Sequence, residues 1–213
     1  SNGTTTIYDP IANATSSGPH LGANVGAGGL AIQRPDGKFL IVVAGVTQTT
    51  VIYDPVTNAT SSGPTLSANG NTGAHAIQRP DGKFLIFVGG TSQTTNIYDP
   101  VANTMSSGTK LGTNGGNGCH AMQRPDGKFL IMIGASQTTV IYDPIANATS
   151  SGPNLGATLG IGAYSIQRPD GKFLIILGQT SQTTVIYDPI TNATSTGPNL
   201  GATVGTGAHA IQR

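Results

Sequence analysis

Three histidines, His75, His120 and His209, occupy one position of a repeated sequence unit whose other two copies carry Leu30 and Tyr164 there. If equivalent side chains of successive units converge on a common axis, three imidazoles form a donor set for a borderline transition metal. The competing reading is a strand-start histidine bonded to backbone, which needs no ligand and implies no cofactor. Cys119, the single cysteine, stands beside His120 and has the composition of a nucleophile with its base. Neighbouring residues of a strand point to opposite faces, however, so a small buried thiol is the simpler account. One cysteine cannot form an internal disulfide, and the compartment stays open on that count.

All acids are Asp, nine of them, each in a Tyr-Asp-Pro or a Pro-Asp-Gly segment. The bases follow the same grammar: Arg precedes the Pro-Asp-Gly segment, Lys follows it, and Lys110 alone falls outside the pattern. Acid–base catalysis draws on paired groups whose environments drive their pKa values apart, hence on positions that break a repeat. No carboxylate does so, and the expectation is a protein that is not an enzyme, with no catalytic residue and no cofactor.

The elements that must position these residues follow from the period. Tyr-Asp-Pro recurs at Tyr8, Tyr53, Tyr98, Tyr142 and Tyr187, a spacing of 44 to 45 residues. Within one unit, Gly73 to Arg79 alternates small and larger residues as a strand does. Pro80-Asp81-Gly82-Lys83 supplies a preset φ, a self-bonding Asp and a Gly for a tight reversal. Phe84 to Val88 is continuously apolar, a core strand covered on both faces. Thr94 to Tyr98 is a third strand stopped by Asp99-Pro100, and Thr104 to Ser107 a short fourth. No segment combines a 3.6-residue apolar period with length, so helix is not expected. Four short strands per unit of this length predict an all-β, five-bladed β-propeller of four-stranded antiparallel blades.

The segments Gly73-Ala74-His75-Ala76, Gly89-Gly90 and Tyr98-Asp99-Pro100 with Asn103 resemble a kelch-type propeller repeat, and the resemblance spans the chain. It implies the same fold. Kelch-type propellers include copper oxidases, so the resemblance also carries an oxidase reading in which Tyr164 and His20 are the symmetry-breaking ligands.

The expected domain is single, residues 1–213, with blades at 28–63, 73–108, 118–152 and 162–197 and a fifth from 1–18 plus 207–213. Five Tyr-Asp-Pro segments but four Pro-Asp-Gly-Lys turns leave that fifth, shared blade short of one core strand. The resulting slot is about 9 to 10 Å wide, two strand spacings. A strand from another chain, a longer repeat array, or a three-stranded blade each accounts for it.

The hairpin face carries nearly all the charge in a constant ring, whereas the opposite, neutral loop face varies between repeats. Binding residues on a rigid scaffold come from such loops, which nominates Asn24, Asn69, Asn71, Lys110, Asn114 and Asn117, with Tyr164. Asn2, Asn13, Asn58, Asn147 and Asn192 each begin an Asn-x-Thr triplet, a glycan acceptor in an exported chain, although Asn also suits these turns by bonding its own backbone. The net charge of +1 argues against nucleic acid. No apolar run of membrane-spanning length exists, so no membrane insertion is expected. A charged fraction of 9%, abundant Thr and Asn, and a first residue other than Met lead us to expect an extracellular or cell-surface location. The expected partners are copies of the chain itself or another surface protein, in an assembly role. The alternative is a lectin-like module that binds glycan.

Overall fold

The computed structural model describes residues 3–45, 47–179 and 181–205. It is all-β, a five-bladed propeller whose sheets are antiparallel. The first sheet pairs β1 (Thr6–Asp9) with β2 (Ala14–Ser17). Blade one is β3 (Leu30–Gln33), β4 (Phe39–Val42), β5 (Thr50–Asp54) and β6 (Ala59–Ser62); blade two is β7 (His75–Gln78), β8 (Phe84–Phe87), β9 (Thr95–Asp99) and β10 (Thr104–Ser107). Blade three is β11 (His120–Gln123), β12 (Phe129–Met132), β13 (Thr139–Asp143) and β14 (Ala148–Ser151); blade four is β15 (Tyr164–Gln167), β16 (Phe173–Ile176), β17 (Thr184–Asp188) and β18 (Ala193–Thr196). The 207–213 portion expected for the fifth blade lies outside the described residues.

The turns obey the local chemistry of their residues. In blade one, Arg34 N donates to Lys38 O at 2.8 Å, Gly37 sits at φ 81°, and Asp36 Oδ1 accepts the Lys38 N–H at 3.1 Å. In the outer turn Asp54 Oδ1 accepts the N–H groups of Val56 and Thr57, and Asn58 closes the turn at φ 52°. This register sets Phe39 opposite Tyr53, as it sets Phe84 opposite Tyr98, Phe129 opposite Tyr142 and Phe173 opposite Tyr187.

The core lies between blades. One cluster joins Ile77, Leu85 and Phe87 of blade two to Phe129, Ile131 and Tyr142 of blade three; another joins Met122, Leu130 and Met132 to Phe173, Ile175 and Tyr187. All four residues of β12 are buried, as a strand covered on both faces requires.

Two repeated fastenings hold this packing. Within a blade, the first Thr of the third strand binds the chain that leaves the fourth: Thr139 Oγ1 donates to Pro153 O at 2.6 Å, and Gly152 N to Thr139 O at 3.0 Å. A Cβ on Gly152 would collide with Thr139 Oγ1, so only glycine fits there. Between blades, an Arg reaches the next blade's outer turn. Arg34 Nη1 donates to Tyr98 Oη at 3.0 Å and to Asn103 Oδ1 at 2.6 Å. Arg79 Nη1 donates to Tyr142 Oη at 2.7 Å and to Asn147 Oδ1 at 3.1 Å. Arg124 donates to Asn192 Oδ1 at 2.9 Å and to Pro189 O at 3.2 Å.

Blade two carries one local anomaly. Asn96 stands where the other complete blades have Val51, Val140 and Val185, and it is fully buried. Its Oδ1 accepts from Ser67 N at 2.9 Å and Ser67 Oγ at 2.6 Å, but its Nδ2 has no partner. Ser67 itself replaces a glycine, found as Gly22, Gly112 and Gly156 in the equivalent loops.

Two stability outcomes follow. Gly152→Ala should destabilise the fold by about 1–3 kcal/mol, through overpacking against Thr139, read as a lower urea midpoint. The pair Asn96→Val with Ser67→Gly removes an unsatisfied buried donor together with its acceptor's partner, and should raise the midpoint by the equivalent of about 1–2 kcal/mol. An unchanged or lowered midpoint would show that Asn96 is not a local defect.

Candidate functional site

The first strands of the complete blades, β3, β7, β11 and β15, begin at the loop face with Leu30, His75, His120 and Tyr164. Three of these side chains form a ladder. The His75 and His120 rings lie 5.3 Å apart between centroids, inclined by 56°, and His120 and Tyr164 lie 5.4 Å apart at 36°. His75 also meets Phe87 of its own blade at 5.5 Å, and the His120 Nε2 shares a 3.0 Å hydrogen bond with Ser165 Oγ. A cleft of about 560 Å³ runs along β3 and β7, bordered by Leu30, Ile32, Arg34, His75, Gln78 and Phe84.

Burial lowers the basicity of both imidazoles. The His75 pKa drops to about 4 through desolvation, and that of His120 to about 3 through desolvation and its neighbour His75. Both are neutral near pH 7, so the ladder presents aromatic faces and uncharged nitrogens. It can stack against a ligand and exchange neutral hydrogen bonds; it is not poised for proton transfer at neutral pH.

The loops that lead into these strands surround the same end. Asn24, Asn114, Asn117 and Lys110 are exposed, and Asn69 and Asn71 half-buried, with Asn71 Nδ2 donating to Asn69 O at 3.1 Å. The loops approach backbone to backbone. A Cβ on Gly28 would strike residues 71–73, one on Gly73 would strike residues 116–118, and one on Gly118 would strike residues 160–161. Glycine at these steps lets successive loops close in around the mouth of the channel.

The remaining sequence-level candidates take other places. His209 and Asn2 lie outside the described residues. His20 is exposed, and its Nδ1 accepts the Gly22 N–H at 2.9 Å. Cys119 is buried, its Sγ directed at Gly115 O, and burial pushes its pKa up to about 11, the state of an unreactive thiol. The turn asparagines Asn13, Asn58, Asn147 and Asn192 all hold positive φ, and each Oδ1 accepts from the tyrosine hydroxyl five residues before it. Turn geometry is thus sufficient reason for them. No group of three or more His, Cys, Asp or Glu side chains gathers to hold a metal among the described residues.

Sequence reading missed two features. One is the Arg latch, because Arg34, Arg79 and Arg124 each have a local partner in their own hairpin Asp that hides the reach to the next blade. The other is where the latch stops. The Arg168 side chain is 37% exposed against 10–11% for its three equivalents, and it pairs with Asp170 but with no neighbouring blade among the described residues. Correspondingly Tyr8, the latch acceptor of the β1–β2 sheet, is 58% exposed, whereas Tyr98, Tyr142 and Tyr187 are completely buried.

The arrangement is that of a β-propeller with a neutral, loop-lined channel mouth. No family model matches the sequence. No curated protein matches it either. Among solved structures, the fold is similar to a fungal alcohol oxidase of the AA5 family in complex with copper, with a TM-score of 0.70 at 16% identity, over 96% of this chain and 50% of that one. It is also similar to virginiamycin B lyase from Staphylococcus aureus, with a TM-score of 0.66 at 7% identity, over 92% of this chain and 63% of that one. The chain therefore spans about half to two thirds of these structures, and at such identities the likeness is one of fold. The described residues do not fit a copper set of the kind the oxidase resemblance suggested, since His20 Nδ1 is taken up by the Gly22 N–H, His120 Nε2 is engaged with Ser165, and no further His, Cys, Asp or Glu gathers beside them among the described residues.

The histidine ladder gives a defined pH dependence. Once unfolded, both imidazoles take protons near the ordinary value of 6.5; folded, they resist protonation down to about 4 and about 3. The unfolded state therefore binds more protons below pH 6.5, and stability falls as the pH drops from 6.5 through 4, by roughly 2–3 kcal/mol for His75 alone. Asp54, Asp99, Asp143 and Asp188 lie below their ordinary 3.8, so the stability they add disappears only at lower pH. Urea midpoints between pH 7 and 4 should decline in the native chain and stay nearly level in a His75→Leu, His120→Leu variant, which takes the residue that blade one already carries there as Leu30. Equal slopes would show that the two imidazoles are solvated.

Proposed function

We propose that this chain is a non-catalytic structural propeller, of kelch-type repeat, that associates with copies of itself at a cell surface or in an extracellular filament. The observation that carries the reading is the unlatched seam. Blade four offers a half-exposed Arg168, and the β1–β2 sheet offers an exposed Tyr8 with its Asn13. These are the two halves of a contact the chain already makes three times, from Arg34, Arg79 and Arg124. A complementary pair of unlike surfaces on one molecule is a heterologous interface, which joins copies head to tail. The lack of a partner strand for β1 other than β2 among the described residues adds an open backbone edge to that surface. Non-catalytic character is supported by the use of eight Asp side chains in ion pairs with repeat Arg and Lys.

A second reading, a lectin-like module, is favoured by the aromatic ladder His75–His120–Tyr164 beside the Asn-rich loops. Two measurements together separate the readings. Sedimentation velocity should give species that grow with concentration, and Arg168→Ala should weaken that association at least about tenfold, the scale for truncating a charged interface hydrogen bond. A chain that stays monomeric at high concentration yet binds glycans on an array would replace the first reading with the second.

A further inference from the structure

Each Tyr-Asp-Pro turn ends in an aliphatic tip. Ile11, Val56, Val101, Ile145 and Ile190 are 82–96% exposed, and with Tyr8 they are the large apolar side chains the described surface leaves in water. The fold does not require them. Asp, Pro and a positive-φ Asn already form the turn, as Asp54, Pro55 and Asn58 do around Val56. Polar residues are the ordinary choice in such turns. The next position varies in polarity, as Ala12, Thr57, Ala102, Ala146 and Thr191, while the tip changes only between Ile and Val. A single exposed aliphatic residue is unremarkable on any protein. Five at one equivalent position are a patterned surface.

All five project from the hairpin face, at its outer rim. Around them the charges are matched. Lys38 pairs with Asp54, Lys83 with Asp99, Lys128 with Asp143 and Lys172 with Asp188, at 3.0–3.1 Å. The Arg–Asp pairs of the hairpins lie on the same face. Asp9 of the fifth turn accepts the Ile11 and Ala12 N–H groups and is the one Asp without an ion pair among the described residues, so the face is balanced to within a single charge.

We propose that the hairpin face docks against the hairpin face of a second copy, with the aliphatic tips as its contacts. Charge balance favours a like partner, since two identical faces of strong single sign would repel, and the same balance offers nothing to an anionic lipid surface. Spacing favours it too. One tip buries too little to hold a partner, but five tips on a rigid frame act as one multivalent contact with a partner of the same spacing, which a second copy has by construction. The contact is isologous and axial, separate from the head-to-tail edge at Arg168, and stands without it.

The test uses the full chain in three forms. Replacing the tips together by Thr (Ile11→Thr, Val56→Thr, Val101→Thr, Ile145→Thr, Ile190→Thr) keeps β-branching and the turn, and should weaken face-to-face dimers at least about tenfold in sedimentation. Arg168→Ala should leave those dimers in place. In the third form, Cys at all five tips (Ile11→Cys, Val56→Cys, Val101→Cys, Ile145→Cys, Ile190→Cys) should be cross-linked between copies by a short bis-maleimide whichever tips meet across the two-fold axis, with buried Cys119 unreacted, whereas Asn114→Cys on the loop face should not. Equal association of the Thr variant and the native chain overturns the proposal, as does cross-linking at Asn114 instead of at the tips. Tip-dependent flotation of a monomeric native chain on phosphatidylcholine vesicles assigns the tips to lipid and overturns it equally. If the Thr variant fails to fold, the cross-linking pair still decides.

Discussion

The second strands of blades two and three depend on having a blade on either side, and those of blades one and four, where Ile41 and Leu174 stay half-buried, on at least one. Leu40, Leu85 and Leu130 are fully buried, and so are Ile86 and Phe87 of β8, pointing to opposite faces of one sheet. A sheet apolar on both faces is not stable alone, and stacking supplies the missing cover, as in other repeat architectures. Everything else follows from that dependence. The Arg latches fix the angle at which one blade meets the next, the Thr–Gly fastening brings the chain off the outer strand toward the next blade, and the glycines of the loop face let backbones meet where side chains would hold blades apart.

Much of this was legible in the sequence because its punctuation is local. Pro, Asp, Gly and Lys specify the hairpin by their own backbone preferences, and Asp-Pro-x-x-Asn specifies the outer turn, so strands between them fall into place without knowledge of the neighbours. The interblade contacts were not legible for the converse reason. Arg34 to Tyr98 spans 64 residues, and both side chains have sufficient local explanations, Arg34 in Asp36 and Tyr98 in Asn103. The histidine ladder stood between these cases. Its repeat position showed that His75 and His120 share a register, but not that the rings touch and lose solvent, which depends on how tightly β7 and β11 approach.

The candidate site is correspondingly a consequence of the fold rather than an addition to it. Position one of the first strand borders the cleft at Leu30 and His75, and the ring contacts continue that row through His120 to Tyr164. Leu30, His75, His120 and Tyr164 make that mouth graded, from aliphatic through imidazole to phenol, while the scaffold beneath is nearly constant. Asn96 and Ser67 are a second departure from the repeat, and their mutual hydrogen bonds show the two substitutions acting as a pair. Departures that compensate each other are structural; departures that converge on an open mouth are the ones available to a ligand.

The same logic separates the two faces. On the hairpin face, Lys and Asp neutralise each other in each complete blade, which leaves Asp9 and the aliphatic tips uncompensated among the described residues, the tips numbering one per blade. On the edge, compensation fails at one seam, where Arg168 and Tyr8 each lack, among the described residues, the counterpart their equivalents have across a blade boundary. The first surface is repeated and is proposed to meet its like; the second is single and is proposed to meet its unlike counterpart. A like-to-like contact closes after two copies, whereas an unlike contact continues until a ring closes or a filament grows. Under the two proposed contacts, one rigid body would couple stacking to elongation, because each copy added at the edge would bring five further tips to the face.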